Sequence, residues 1–451
     1  MRNVHLFNHL PHRPSVLALV LAATLIGSTA FAQEPVTSPS APAVSNPSPT
    51  PSATPDTGTS VDSQEKPGLI RRSLRSFLRD DVNGDGRGVH AGPFAPRVVI
   101  LSSGAGPAPL LHFWMPDIGG TRLDIHASAA YSIYKYQYYD AQIGLMPHRG
   151  QRLPSVETGT NAIFPLADIE KTAGSPGFNL YASARHRDYP REDFFGVGPS
   201  TLSEAHADFR LKDSLYEGVM RFEHSHFSVM GRAGVLKTSV GVGEDSKYPD
   251  VSTSFNSTTA PGVSSSPDFL HASLGGWLEF RDEPGNPHRG AAFGIAYSHF
   301  DDRNADVFQF NRLVLEGRQY VSLHTKRHVL AFKQTLSFDS PSEGRSVPFY
   351  LRPTLGGGSL LRGYASSRFR DDRLMYLIGE YRFELTPKVE LAAIYEAGKV
   401  FPGIEGVNFH DLRRSFGGGI RFKSPRKVHL RLDIVKSTEG TRVHLKLGRS
   451  F

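Results

Sequence analysis

Three stretches of this sequence bring together side chains that could do chemistry. In Glu223-His224-Ser225-His226 the two imidazoles would share one face of a strand and could hold a metal. No third ligand is identifiable, so a loop or lumen pair of histidines is the expected reading. In DVNGDG, Asp81, Asn83, Asp85 and Gly86 take the first places of a calcium loop, but the closing bidentate glutamate would fall on Gly92. Without that ligand the stretch is expected to be a polar turn. The third stretch, LGGGSLLRGYASSRFRDD at 355–372, sets a single Arg-Gly-Tyr at 362–364 between three glycines and alternating charge, in a pattern that is neither strand nor helix. Glycine costs order unless a tight conformation or a close approach requires it, so Arg362 should reach something fixed. The sequence holds no G-x-S-x-G, no H-E-x-x-H and no phosphate-cradling G-x-x-x-x-G-K-[ST]. The expectation is therefore no enzyme, no catalytic residue and no cofactor or metal.

The elements that must position these residues begin after a long preamble. Residues 1–32 carry Arg2 and Arg13, an apolar run from Val16 to Ile26, and Ala30-Phe31-Ala32 before Gln33. That order predicts a secretory signal peptide, with a run too short to span a bilayer. Residues 33–66 are dominated by Pro, Ser and Thr and are expected to form a disordered, solvated linker. Over 67–92 the expectation is a short basic amphipathic helix and a turn: Leu69, Ile70, Leu74, Phe77 and Leu78 recur at helical spacing between Arg71, Arg72, Arg75 and Arg79. Two placements stay open for that helix, on an anionic lipid surface or against the rest of the protein. With no cysteine, the chain has no disulfide framework and no thiolate metal site.

From residue 93 to 451 the chain alternates with period two. In 373–385, Met375, Leu377, Tyr381, Phe383 and Leu385 form one face, and Glu380, Arg382 and Glu384 the other. Val389, Leu391, Ala393 and Tyr395 likewise oppose Lys388, Glu390 and Glu396, and Val428, Leu430, Leu432 and Ile434 oppose His429, Arg431 and Asp433. Val443, Leu445 and Leu447 oppose Arg442, His444 and Lys446. Such strands suit either a soluble sandwich or a membrane barrel. Export, aromatics near the strand ends, and short turns alternating with long loops select the barrel: its apolar face meets lipid and its charged face lines a lumen. The net charge of +7 does not point to nucleic acid, because the basic residues alternate along strands and pair with acids.

Counting back from Phe451 predicts strands near 441–451, 427–436, 413–423, 388–398, 373–385, 328–338, 307–322, 290–300 and 269–282. Upstream they are predicted near 214–236, 178–188, 121–146 and 94–103, and 237–268 is expected to be a surface loop. With both barrel ends periplasmic, residues 339–372 lie outside, and the length accommodates about 14 to 16 spans.

Several pieces resemble a known family. PFYLRPTLGGGSLLRGYASSRFRDD from Pro348, GEYRFELTP at 379–387, IYEAGKVF at 394–401, FGGGIRF at 416–422 and the terminal Phe451 resemble the barrel of the BamA/TamA-like outer-membrane assembly and translocation superfamily. So does FRDEPGNPHRG at 280–290, with the spacing of that family's Asp-x-x-x-x-Pro-x-x-Gly turn. The resemblance is dense from 269 to 451 and thin before it. It implies an all-β, 16-stranded antiparallel transmembrane barrel whose long sixth extracellular loop folds into the lumen. It also implies that Arg362, Gly363 and Tyr364 are the loop-tip motif and that Glu380 and Glu396 are its acidic lumen partners. Phe451 would be the C-terminal barrel signal. The family's assembly members carry periplasmic POTRA repeats before the barrel. A proline-rich tether and one helix occupy that region here, so a short member is expected.

The function so implied is outer-membrane protein or lipid biogenesis or translocation in the bacterial outer membrane. Outer-membrane lipid is the expected partner, with client outer-membrane proteins or periplasmic factors as further partners, and no nucleic acid. A passive or loop-plugged diffusion pore is the alternative, and a barrel-embedded hydrolase with Ser and His on neighbouring strands is a third.

Overall fold

The computed structural model describes residues 93–146, 166, 169–170, 177–424 and 428–447. The expected signal peptide, linker and amphipathic helix, the Asp81–Gly86 turn and Phe451 lie outside the described residues.

Sixteen strands form one antiparallel sheet. They are β1 Phe94–Ile100, β2 Pro107–Met115, β3 Leu123–Tyr131, β4 Gln137–Leu145, β5 Gly177–Phe194, β6 Ala207–His224, β7 Phe227–Val242 and β8 Asp268–Glu279. After them come β9 Gly290–Asp302, β10 Gln309–Ser322, β11 His328–Pro341, β14 Arg373–Thr386, β15 Val389–Phe401, β16 Arg413–Lys423, β17 Val428–Ser437 and β18 Gly440–Leu447. Inside the β11–β14 connection, two short strands, β12 Thr354–Leu355 and β13 Phe369–Arg370, pair with each other. Each long strand pairs with its neighbour in order, so β1 and β18 are the two edges.

The sheet curls into a barrel. Arg368, in the β11–β14 connection, donates to Thr201 O at 2.8 Å beyond β5 and to Glu439 Oε1 at 2.9 Å beyond β17, strands far apart in the order. Arg413 of β16 likewise donates to Pro199 O at 3.1 Å. The period-two pattern maps onto the two faces: Leu274 and Val443 are 62 % and 64 % exposed on the outside, whereas Glu380, Glu396 and Asp433 are buried within. Charge on the inner face is tolerated because it finds partners there, and on the outer face it is confined to strand ends, as in the Lys237–Asp268 pair.

Downstream of 269 the predicted strands agree with those observed to within a few residues. Upstream, three readings are corrected. The single span at 214–236 is two strands, β6 and β7, joined at Ser225 and His226, with Ser225 at a φ of 42°. The span at 121–146 is β3 and β4, and β2 escapes the sequence reading because Pro107 and Pro109 interrupt its start. His224 and His226 consequently do not share a strand face. His224 ends β6 and stacks on Phe222 with planes 3° apart, while His226 sits in the turn and stacks on Phe280.

The stretch 237–268 is also more than a polar surface loop. Its first residues extend β7, and Val251, Ala260 and Val263 are buried with Phe349, Tyr350 and Leu351 of the β11–β14 connection. Phe194, Phe209, Phe269, Phe300 and Phe310 complete that cluster at the outer ends of their strands, so it caps the lumen there. Arg370 lies beneath the cap, its guanidinium carbon 5.4 Å from the Phe194 ring centre and 5.7 Å from that of Phe349.

Candidate functional site

The β11–β14 connection descends from the cap to the inner wall of the last five strands. Gly356, at a φ of +115°, makes the turn: a Cβ there would lie 2.0 Å from Ala365 O. The turn closes on itself through Gly356 N to Leu360 O at 2.9 Å, Gly357 N to Tyr364 O at 3.1 Å and Tyr364 N to Leu361 O at 3.2 Å. Leu361 adopts a φ of 60°, a strained backbone for a branched side chain, and is fully buried with Leu355, Tyr376, Ile378 and Val435. That packing directs Arg362 into the wall.

Arg362 is 1 % exposed and meets three carboxylates on three strands. Its Nη2 donates to Glu380 Oε1 on β14 at 3.0 Å, and its Nη1 to Asp433 Oδ2 on β17 at 2.7 Å. Nε lies 3.0 Å from Glu396 Oε1 on β15 as an ion pair, and the Arg362 amide donates to Glu396 Oε2 at 2.7 Å. The acids are themselves held. Tyr376 Oη donates to Glu396 Oε1 and Ser415 Oγ to Glu396 Oε2, both at 2.7 Å. Arg421 of β16 donates to Glu380 Oε2 at 2.6 Å and to Glu390 Oε1 at 3.2 Å, and Arg431 Nε stands 2.9 Å from Asp433 Oδ2. Three arginines thus face four acids out of water, a network in which each guanidinium satisfies acids on more than one strand or beside another arginine.

The main chain of the tip is read as well. His444 Nε2 of β18 donates to Arg362 O at 2.7 Å, which places the proton on that nitrogen, and Ser437 Oγ of β17 donates to Gly363 O at 2.7 Å. The Tyr364 hydroxyl meets Thr438 Oγ1 at 3.1 Å. A Cβ on Gly363 would lie 2.6 Å from Ser415 Cβ and 2.7 Å from Ser437 Cβ, so only glycine lets the tip come this close. The structure therefore brings Arg362, Gly363, Tyr364, Glu380 and Glu396 into one site and leaves Phe451 outside the described residues.

Sequence reasoning missed Asp433, Arg421, Tyr376, Ser415 and His444 as members. The alternation had put Asp433 and His444 on the lumen side, but nothing in one strand's pattern says which lumen residues meet which loop. Asp433→Asn should leave Arg362 and Arg431 facing a neutral amide and cost about 1–3 kcal/mol. The temperature at which the folded barrel loses its faster gel migration measures that loss.

The arrangement clamps a loop onto five strands. A family model described as the Omp85 superfamily domain matches residues 234–451. The chain carries an Omp85 superfamily domain. This agrees with the resemblance read from the loop tip and the strands after it, and the protein is a bacterial outer-membrane β-barrel.

The fold is shared with a solved structure. BamA from Haemophilus ducreyi lacking POTRA domains 1–3 superimposes with a TM-score of 0.54 at 14 % identity, over 76 % of this chain and 68 % of that one. CdiB from Acinetobacter baumannii gives 0.41 at 10 % identity, over 76 % of this chain and 56 % of that one. CdiB from Escherichia coli gives 0.44 at 10 % identity, over 84 % of this chain and 74 % of that one. No curated protein matches the sequence. The Omp85 superfamily domain relates the chain, at the coarse level, to the assembly and translocation barrels of the outer membrane. Among the described residues nothing corresponds to a POTRA repeat.

Proposed function

We propose that this protein acts in outer-membrane protein or lipid biogenesis, passing a polypeptide strand or lipid along the seam between β1 and β18. The observation that carries the reading is the loop tip: Arg362 and its neighbours tie β14, β15, β17 and the edge strand β18 into one unit. An edge strand offers unpaired backbone donors and acceptors, and such groups are costly in lipid unless another strand satisfies them. A seam held by the loop lowers the insertion cost of an incoming strand without covalent chemistry. On this reading residues 93–451 are the barrel domain, preceded by the linker of 33–66 and the helix and turn of 67–92. The partners are outer-membrane lipid, client outer-membrane proteins and periplasmic factors.

Depletion of the protein followed by an inventory of outer-membrane proteins and lipids tests the reading. A selective fall in either is expected, and unchanged levels of both would sink it. Conductance in planar bilayers separates it from a diffusion pore: the native protein should stay closed, and deletion of 355–364 should open it. A steady open current from the native barrel would favour the pore.

A further inference from the structure

The alternation of the strands puts the end of β4 and the start of β5 at the periplasmic end of the barrel, and three described residues between them, Leu166, Ile169 and Glu170, stand inside the lumen. Leu166 and Ile169 are buried with Val219, Met230, Trp277, Ala292 and Ala296, all on inner faces of β6–β9. Glu170, 3 % exposed, accepts from Arg281 Nη2 at 2.5 Å on one oxygen and from Arg318 Nη1 at 3.2 Å on the other. The backbone is held too: Arg221 Nη2 donates to Ile169 O at 3.3 Å and Glu170 O at 2.9 Å, and Ser228 Oγ donates to Ile169 O. Ile169 N and Glu170 N both return to Leu166 O at 3.0 Å, a single helical turn.

The wall is shaped and charged for this turn. A Cβ on Gly275 would lie 2.2 Å from Ile169 Cδ1, so glycine leaves the space that Ile169 fills. Both arginines are positioned by wall acids of their own: Arg281 Nε donates to Glu279 Oε1 and Arg318 Nε to Glu316 Oε1, each at 2.7 Å. Arg318 also lies over the Trp277 ring, 5.0 Å from its centre. A receptor held in place without its ligand does not have to be ordered on binding. No ladder pairing joins the three residues to the wall, so every contact is of a kind that a separate peptide could make.

We propose that the inner wall of β6–β10 is a peptide-binding site. It takes a helical turn with two aliphatic side chains followed by a carboxylate, and the chain's own Leu166, Ile169 and Glu170 occupy it as an internal ligand. The aliphatic side chains lie against Trp277 and the glycine hollow, the two arginines take the carboxylate, and Arg221 with Ser228 takes the carbonyls. The site faces the periplasmic half of the lumen, beside the Ser225–His226 and 280–289 turns, where a peptide entering from the periplasm meets it first. The proposal goes beyond the biogenesis reading and fails separately from it, because its test reads the wall alone.

The chain has no cysteine, so Ser228→Cys introduces a single thiol beneath Ile169. Labelling of the folded full-length protein in detergent with a hydrophilic maleimide should be slow. It should quicken at least roughly tenfold with Glu170→Arg, or with Gly275→Leu, which displaces Ile169 without touching a charge. Glu170→Gln serves where either of these fails to fold. A peptide of residues 164–172 should slow labelling again, and the same peptide with Gln in place of Glu170 should not. Fast labelling with Glu170 in place, no acceleration in any folded variant, or equal effects of the two peptides would overturn the proposal.

Discussion

Arg362→Ala is expected to destabilise the barrel more than any other single side-chain truncation at the site. The guanidinium is the shared partner of Glu380, Glu396 and Asp433, which are buried at 1 %, 0 % and 0 % exposure. Removing one partner of a buried ionic network leaves uncompensated charge, at a cost of about 3–5 kcal/mol and less where lumen water reaches the acids. The melting point of the heat-modifiable gel band should fall accordingly. Arg362→Lys should recover only part, since a point charge cannot serve three carboxylates arranged around a planar fork. A double-mutant cycle makes the assignment specific: Arg362→Ala with Glu396→Gln should lose less than the two single changes added together, because the second removes an acid that the first orphans. Strict additivity would mean that the two do not interact. Charge reversal at Glu380 is a poorer control, because Arg421 holds its other oxygen at 2.6 Å and would face the new cation.

Gly363→Val should release the loop tip without altering any charge. The wall is already at contact, with Ser415 Cβ and Ser437 Cβ inside 3.0 Å of where a Cβ would sit, and both belong to strands held on two sides. Overpacking of a fixed wall costs typically about 1–3 kcal/mol. Here it also withdraws the Arg362 carbonyl from His444 and the Gly363 carbonyl from Ser437. The total effect is expected to approach that of Arg362→Ala. In planar bilayers the variant should show the open current expected of the 355–364 deletion. A closed, fully stable Gly363→Val barrel would mean that the tip does not need this close approach.

The two experiments address different parts of one device. Loss at Arg362 tests the charge network, whereas loss at Gly363 tests the packing that delivers the arginine. If the tip works by holding β18 to the loop, both variants should also impair outer-membrane biogenesis in cells at a temperature where the barrels remain folded. Normal biogenesis with a released tip would reduce the clamp to a structural fastening.

Much of the barrel was legible because a lipid-facing strand writes its fold in one dimension. Every second residue must be apolar and the others need not be, so β14, β15, β17 and β18 could be read strand by strand, with Glu380, Glu396 and Asp433 assigned to the lumen. The pattern weakened where that constraint weakened. Pro107 and Pro109 hid β2, and β6 with β7 merged into one span because their turn is only Ser225 and His226. The apolar residues of 251–263 carry no period because they bury against a cap made by other loops.

The sequence by itself thus determined the class of fold, the lumen-facing identity of the acids and, through the resemblance at the loop tip, the pairing of Arg362 with Glu380 and Glu396. Only the tertiary structure decided that Asp433, Arg421 and His444 complete the clamp, and that Leu166, Ile169 and Glu170 enter the lumen on the opposite wall. The physical reason is the same in both cases. Facing is a local property, fixed by alternation along a single strand. Meeting depends on how far a loop descends and how the sheet curls, and those distances are set by contacts between residues that lie scores of positions apart in the chain.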